Sequence, residues 1–278
     1  MLENAGTGRF TVEWAQTFEE GLERLLSGDY AACLLDFQLG ARDGLELLRD
    51  ARAKGCQTPV IFLTADSSEQ VDNAAMEAGA SDYLVKGEIN PRVLERSIRY
   101  SLKLGAAMKE LRLLATRDAL TGLLNRRAFD ALLAEEVERA RRLEHPLALV
   151  VLDLDYFKNI NDLHGHPVGD AVLAAAARIF EAEVRTIDRV ARIGGEEFAV
   201  MLMETSAAEA TIVAKRLVSA VRARPVVLAD GTSLAVTVSA GVAALPPYGE
   251  SDASFLKTAD EALYEAKRKG RDRAVLAS

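Results

Sequence analysis

Short apolar segments alternate with amphipathic ones over the first hundred residues. The apolar segments are typical of strands, and we place them at 10–15, 31–37, 58–65 and 82–86. The segment 17–26 has helical spacing, and helical segments also separate the later strands. Strands that alternate with helices predict βαβ units and therefore a parallel sheet with helices on both faces.

A single long helix is predicted from Asn90 to about Arg117. Pro91 lies where a first helical turn tolerates proline, and Gly105 is the weak point of the helix. Apolar side chains recur near helical spacing at Leu94, Ile98, Leu102, Met108 and Leu111. This narrow stripe predicts a helix that packs on a domain or pairs with a second helix as a coiled coil.

The sequence predicts two domains, the first at 1–104 and the second at 117–278. The connecting helix at 90–117 overlaps the end of the first domain. Strands are predicted at 148–155, 189–193, 197–203 and 234–245, and helices at 126–142, 168–184, 206–223 and 253–268. The Asp-Gly pair within 228–233 predicts a tight hairpin turn.

Composition narrows the class of protein. The chain has 278 residues and a formal charge of −8, which argues against a general nucleic-acid binder. Its longest apolar runs are far shorter than the roughly 20 residues of a membrane span. Cys33 and Cys56 have neither metal nor redox spacing, and no leader pattern opens the sequence. We therefore expect a cytoplasmic protein without a membrane anchor.

Carboxylates gather where strands end. Asp153 and Asp155 close one apolar strand, and Glu196 and Glu197 follow two glycines in ARIGGEEFAV (191–200). Taken alone, the four residues GGEE also fit an ordinary surface hairpin. Together with the first pair, they predict a site for a divalent ion, since Mg²⁺ prefers oxygen ligands and commonly shares them with phosphates. The candidates for holding a triphosphate are Lys158, Lys267 and Arg271; the last two would point the same way on one helix.

Five motifs in this order resemble the GGDEF family of diguanylate cyclases. They are DALTGLLNRRAF (118–129), DLDYFKNINDLHGHPVGD (153–170), RIGGEEF (192–198), TVSAGVA (237–243) and ADEALYEAKRKGRDR (259–273). The resemblance covers essentially all of 117–275 and implies a palm-like α+β domain with a central, mainly antiparallel sheet. Glutamate stands where the family name has aspartate, and both spellings preserve a carboxylate.

The resemblance also implies roles for individual residues. Mg²⁺ or Mn²⁺ would be held by Asp153, the Leu154 carbonyl and Glu196, with Glu197 beside them. The substrate GTP would be bound by Asn161 and Asp170 at the guanine edge, by Phe157, and by Lys267 and Arg271 at the triphosphate. The catalytic residues would be Lys158, which stabilises charge on the phosphates, and Glu196, which assists deprotonation of the attacking 3′-hydroxyl.

The implied reaction condenses two GTP molecules into cyclic di-GMP and releases two pyrophosphates. Each domain would hold one GTP, so the active species would be a homodimer. RTID (185–188) resembles the family's inhibitory product site, formed by Arg185 and Asp188 with Arg216 as a further contact. Taken alone, Arg-x-x-Asp is more often an exposed ion pair.

The first domain resembles the receiver domain of response regulators over about 9–104. Asp36, Thr64 and Lys86 close successive predicted strands, and Tyr83 precedes the lysine by three residues. The resemblance implies a partial flavodoxin-like fold in which Asp36 accepts a phosphoryl group from an upstream histidine kinase. Thr64 and Tyr83 would be the switch residues, with the Thr64 hydroxyl moving with the phosphoryl group. Lys86 would be the counter-ion of that group.

The sequence before Phe10 departs from the receiver pattern. Neither the usual first strand nor its acidic pair is present in MLENAGTGRF. We therefore expect either a truncated start or a domain that repacks, for example by dimerisation, with weakened Mg²⁺ support for phosphorylation of Asp36.

Two alternatives to a diguanylate cyclase remain open from the sequence. One is a non-catalytic receptor that binds cyclic di-GMP through Arg185 and Asp188. The other is an adenylate or mixed cyclase on the same fold, which the guanine-binding roles of Asn161 and Asp170 argue against.

Overall fold

The computed structural model describes residues 10–40, 42–65, 69–228, 231–245 and 252–277, without the side chains of 69–72 and 252–254. Two compact units divide the chain, the first ending at Arg112 and the second beginning at Leu113. Within the described ranges, no helix is both long and apolar enough to cross a membrane.

The first unit contains parallel strands flanked by helices. Its elements are α1 (Phe18–Ser27), β1 (Cys33–Asp36), β2 (Gln38–Leu39), β3 (Arg42–Asp43), α2 (Gly44–Ala53), β4 (Val60–Thr64), α3 (Glu69–Glu77) and β5 (Asp82–Val85), followed by α4 (Pro91–Thr116), whose last four residues belong to the second unit. Among the described residues, β1, β4 and β5 form a parallel sheet in that order, and β2 pairs with β3 as a small antiparallel ribbon.

Each face of the parallel sheet has its own buried cluster. Phe18, Leu48 and Phe62 belong to the cluster on one face, whereas Ile61 and Ile98 belong to the cluster on the other. Side-chain caps define where the helices begin: Thr17 accepts from the third residue of α1 and Asp43 from the third residue of α2.

The strand predicted at 10–15 is wrong. Residues 10–16 form no strand, and Phe10, Val12 and Trp14 are exposed. In the described part of the chain, β1 pairs with β4 on one side only, so no neighbouring strand is available to receive this segment. Alternating apolar residues make a strand only where a partner supplies backbone hydrogen bonds and a buried face.

Helix α4 confirms the long helix predicted at 90–117 to within one residue. It begins after Asn90, whose side chain accepts from the Val93 amide at 3.0 Å. Its first half is packed on the sheet, where Leu94 and Ile98 are buried. Farther along, the side chains of its second half become exposed.

The second unit is built on a mixed sheet. Its elements are β6 (Leu124–Asn125), α5 (Arg126–Leu143), β7 (Leu147–Leu154), α6 (Phe157–His164), α7 (His166–Glu183), β8 (Arg189–Arg192), β9 (Glu197–Met203), α8 (Ala207–Ala223), β10 (Val226–Val227), β11 (Ser233–Leu234), β12 (Val238–Ala244), α9 (Asp252–Arg268) and β13 (Ala274–Leu276). The strand order in the described residues is β13-β12-β7-β9-β8-β6, antiparallel in the centre and parallel at both edges.

The sheet of the second unit separates two cores. Every residue of the central strand β7 is buried. Helices α7 and α8 cover one face, with Phe180 and Leu217 in the core, and helices α5 and α9 cover the other, with Phe129 and Phe255. These mixed and parallel sheets confirm the predicted fold class.

Most predicted elements of the second unit lie within two residues of their observed bounds. The strand predicted at 234–245 is instead divided into β11 and β12, because β11 pairs with β10 in a separate hairpin. Part of the predicted Asp-Gly turn, residues 229–230, lies outside the described residues. The short elements β6, α6 and β13 were not predicted, since each is too brief to show a clear period.

Candidate active site

The acidic residues of the second unit converge because β7 and β9 are paired to their ends. Asp153 lies directly opposite Glu197 in this register, and the Leu154 amide donates to the Glu196 carbonyl at 3.2 Å. The turn between β8 and β9 is tight: the amides of Ile193 and Gly194 both donate to the Glu197 carbonyl, at 2.9 and 3.3 Å. A Cβ on Gly194 would lie 2.3 Å from a Glu197 carboxylate oxygen.

A lysine from α9 neutralises the buried acid. The Lys267 ammonium lies 2.8 Å from the Asp153 carboxylate, whose side chain is 10% exposed. Burial raises the pKa of Asp153; Lys267 opposes that rise, and the charges of Glu197 and Asp155 reinforce it. Burial and then the charge of Asp153 likewise raise the pKa of Glu196. Crowded carboxylates at this strand end therefore need a nearby cation.

Oxygen atoms at this strand end could also bind a divalent metal ion. Carboxylates of Asp153 and Glu196 and the backbone carbonyl of Leu154 are hard oxygen ligands of the kind Mg²⁺ prefers. Among the described residues, no three acidic, histidine or cysteine side chains lie close enough together to hold an ion by themselves.

Arg192 and Asp118 brace the glycine turn. The Arg192 guanidinium donates to the Gly195 carbonyl at 2.8 and 3.1 Å and to both Asp118 carboxylate oxygens at 3.2 Å. The Thr121 hydroxyl and amide also donate to Asp118, at 2.7 and 2.9 Å. Both residues belong to motifs quoted above, but the sequence does not show that these motifs touch.

Asn161 and Asp170 lie on the adjacent helices α6 and α7. The Asn161 carboxamide oxygen is buried and has no hydrogen-bond partner in the described structure, whereas Asp170 is exposed. A Cβ on Gly169 would lie 1.9 Å from that oxygen, so glycine keeps the space beside Asn161 open. Phe157 is buried in the larger core and packs beneath this region.

The candidate phosphate contacts come from different local structures. Lys158 is exposed on the first turn of α6. Helix α9 ends at Arg268, so the interpretation that Lys267 and Arg271 share a helical face is wrong. A turn at Gly270 ends the helical repeat, and Arg271 follows with a φ of 61°. Its guanidinium carbon lies 4.7 Å from the centre of the Tyr156 ring.

The proposed inhibitory-site residues differ in accessibility. Arg185 is exposed, whereas Asp188 is buried and accepts hydrogen bonds from the amides of Arg185 and Met203 at 2.9 and 3.2 Å. Arg216 contacts both the side chain and the carbonyl of Glu183. Asp188 therefore shapes the loop that presents Arg185.

The candidate receiver residues lie at one edge of the parallel sheet. Asp36 and Thr64 end β1 and β4, and Lys86 directly follows β5. The Lys86 ammonium lies 2.6 Å from the Asp36 carboxylate, and both side chains are exposed to solvent. Thr64 is buried, and the half-buried Tyr83 packs against a core cluster.

Comparisons with known families match both units. The model of the family "Diguanylate cyclase, GGDEF domain" matches residues 115–273, and that of "Response regulator receiver domain" matches residues 1–99. Response regulator PleD of Caulobacter vibrioides is 35% identical over 84% of this chain and 53% of its own length. Diguanylate cyclase DgcP of Pseudomonas aeruginosa is 35% identical over 95% of this chain and 37% of its own length. The chain thus spans about half or less of these curated relatives.

Solved structures of GGDEF domains also resemble part of this chain. The coiled coil and GGDEF domain of DgcB from Caulobacter crescentus, in complex with c-di-GMP, has a TM-score of 0.62 and 34% identity, covering 67% of this chain and 98% of that one. The active GGEEF domain of a diguanylate cyclase from Vibrio cholerae has a TM-score of 0.53 and 33% identity, covering 56% and 98%.

The brace at the glycine turn predicts a pH-dependent stability. Burial raises the pKa of Asp118, but hydrogen bonds from Thr121 and Arg192 outweigh it and leave the pKa below its usual value. A lowered pKa stabilises the fold above the unfolded value and loses that effect as pH falls through the folded one. We expect Asp118→Asn to cost about 1–2 kcal/mol at pH 7.

This cost should shrink as pH falls below about 4. Urea unfolding followed by circular dichroism between pH 7 and 3 measures it. The control is Asp130→Asn, which removes an exposed ion pair and should change stability by less than about 0.5 kcal/mol. A cost that stays constant down to pH 3 would contradict the predicted linkage.

Proposed function

The chain belongs to the diguanylate cyclase GGDEF domain family, and from this premise we propose that it condenses two GTP molecules into cyclic di-GMP and two pyrophosphates. The observation that carries the proposal is the convergence of Asp153, Glu196 and Lys267 where the paired central strands β7 and β9 meet the turn before β9. The unpartnered, buried oxygen of Asn161 supports a base pocket beside it.

Guanine would bind at Asn161 and Asp170, whose amide and carboxylate match the N1 and N2 donors of guanine. Lys158, Lys267 and Arg271 would hold the phosphates. Members of the family generally use divalent metal ions, and here Asp153, the Leu154 carbonyl and Glu196 would hold Mg²⁺ or Mn²⁺. Such an ion supplies charge neutralisation at the reacting phosphate.

In each half-reaction, the 3′-hydroxyl oxygen of one GTP bonds to the α-phosphorus of the other, and the bond to pyrophosphate breaks. Glu196 would take the hydroxyl proton. Burial and the charge of Asp153 raise the pKa of Glu196, which strengthens this carboxylate as a proton acceptor. Lys267 would exchange part of its contact with Asp153 for the incoming triphosphate.

Two GTP molecules in opposed orientations require two cyclase domains, so the active species would be a homodimer. Helix α4 offers a pairing stripe, since Tyr100, Leu104, Met108 and Leu111 are exposed at helical spacing. The receiver would control the reaction by changing how such helices pair. Asp36, opposite Lys86, would accept a phosphoryl group from a histidine kinase.

The catalytic proposal is tested with Glu196→Gln. We expect the parent to convert GTP and Mg²⁺ to cyclic di-GMP, and the variant to be slower by at least about 100-fold, since a proton acceptor is lost while the shape is kept. Chromatography of the nucleotides measures both. Glu204→Gln, at an exposed acid, is the control.

The proposal fails if the folded parent makes no cyclic di-GMP at any protein concentration. Binding of cyclic di-GMP without synthesis would favour the receptor alternative.

The pairing stripe is tested with the double variant Leu104→Glu, Leu111→Glu. Two charges on the stripe should oppose helix pairing, so sedimentation should show monomer and the specific activity should fall steeply on dilution. The control is Ala106→Glu with Lys109→Glu, at exposed positions on the other side of the helix. A fully active monomer at all concentrations would contradict the dimer requirement.

Product feedback is tested with Arg185→Ala. The DgcB structures in complex with c-di-GMP support product binding by this kind of domain. We expect the variant to lose inhibition by added cyclic di-GMP while its initial rate without added product matches the parent. Arg178→Ala, an exposed arginine on α7, is the control. Unchanged inhibition in Arg185→Ala would remove this residue from the inhibitory site.

A further inference from the structure

The turn that follows α9 has an unusual backbone. Arg271 and Asp272 are consecutive non-glycine residues with φ values of 61° and 50°. This left-handed region is unfavourable for residues with a Cβ, and a pair of them persists only where surrounding contacts hold it. The contacts that hold this turn therefore matter for where Arg271 points.

Asp155 is the first of these contacts. It is 4% exposed, and its Oδ2 accepts from the Asp272 amide at 3.1 Å and from the Thr237 hydroxyl at 2.8 Å. Its Oδ1 accepts from the Ser239 hydroxyl at 2.7 Å. Three hydrogen-bond donors thus satisfy the buried carboxylate of Asp155. Asp153, two residues earlier in the chain, pairs with Lys267 instead.

Arg222 is the second contact that holds this turn. Its Nε lies 2.6 Å from the Asp272 carboxylate, and its Nη2 donates to the Asp272 carbonyl at 3.0 Å. The Arg271 amide also donates to the Ala266 carbonyl at 3.1 Å, which ties the turn to the end of α9. Contacts with Asp155, with Arg222 and with the end of α9 therefore hold the backbone at 271–272.

In this turn, the Arg271 side chain packs against the ring of Tyr156. The guanidinium carbon lies 4.7 Å from the ring centre, and Nη1 lies 3.5 Å from the Tyr156 hydroxyl. Tyr156 follows Asp155 directly in the chain. The consecutive residues Asp155 and Tyr156 therefore contact the backbone of the turn and the side chain of Arg271, respectively.

We infer that Asp155 is a positioning residue for GTP: through the Asp272 amide it holds the turn that aims Arg271 at the triphosphate. The inference deepens the proposed function and rests on it, because Arg271 is assigned to the phosphates there. Asp155 would then contribute to binding of the β- and γ-phosphates, with no part in holding the metal ion.

The test compares Asp155→Ala with Asp155→Asn. Asparagine keeps an oxygen for the Asp272 amide and can donate its NH₂ to the Ser239 hydroxyl, whereas alanine removes the contact. Calorimetry with Mg²⁺ measures binding of GMP and of the α,β-methylene analogue of GTP, which keeps the triphosphate but cannot react. We expect Asp155→Ala to bind the analogue about tenfold more weakly, GMP as before, and Asp155→Asn to rescue it.

A double-mutant cycle with Arg271→Ala shows whether Asp155 acts through Arg271. In that background, Asp155→Ala should cause little further loss of analogue binding. Arg222→Ala is the second variant, for the case in which Asp155→Ala does not fold. Arg222 is exposed, and its replacement by alanine removes the contact with Asp272. It should weaken analogue binding selectively, while Arg224→Ala, which removes a nearby exposed contact with Glu183, should not.

Equal weakening of GMP and analogue binding would overturn the inference, as would an additive loss in the Arg271→Ala background or a changed Mg²⁺ requirement. These binding measurements do not depend on turnover. If the protein makes no cyclic di-GMP but Asp155→Ala weakens binding of the analogue and not of GMP, the proposed function fails and the positioning role stands.

Discussion

The site depends on balancing buried carboxylates at the end of one central strand. β7 is buried along its whole length, and the charged side chain of Asp153 near its end is only 10% exposed. A carboxylate in such a place requires an opposite charge, and neighbouring acids increase that requirement. Lys267 provides it from α9. The position of α9 on the sheet is consequently a condition for the site to exist.

Close packing determines that position. A Cβ on Gly241 of β12 would lie 2.1 Å from the Ala259 carbonyl oxygen and 2.2 Å from the Leu263 amide nitrogen, both on α9. Only glycine allows the helix backbone this close, and buried Phe255 and Ala259 leave no room for the helix to slide. The placement of Lys267 therefore follows from core packing as well as from electrostatics.

Local pattern predicted the long elements and the composition of the acidic cluster, since both depend on residues close in sequence. It failed at 10–15, where a correct alternation met no partner strand among the described residues. It also could not separate Asp153 from Asp155. Their contacts differ: Asp153 pairs with Lys267, whereas Asp155 accepts hydrogen bonds from Thr237, Ser239 and Asp272, and all four partners are distant along the chain.

Burial explains why similar lysine–aspartate pairs can serve different purposes in the two units. Lys86 and Asp36 are 2.6 Å apart, but their side chains are 45% and 39% exposed, so water can replace either partner at little cost. Asp153 lacks that access, and removing Lys267 would leave its charge uncompensated unless another cation arrived. Replacement by water at the Lys86–Asp36 pair is compatible with the phosphorylation proposed for Asp36. The second pair can exchange its cation only for another cation, which agrees with the metal site proposed at Asp153.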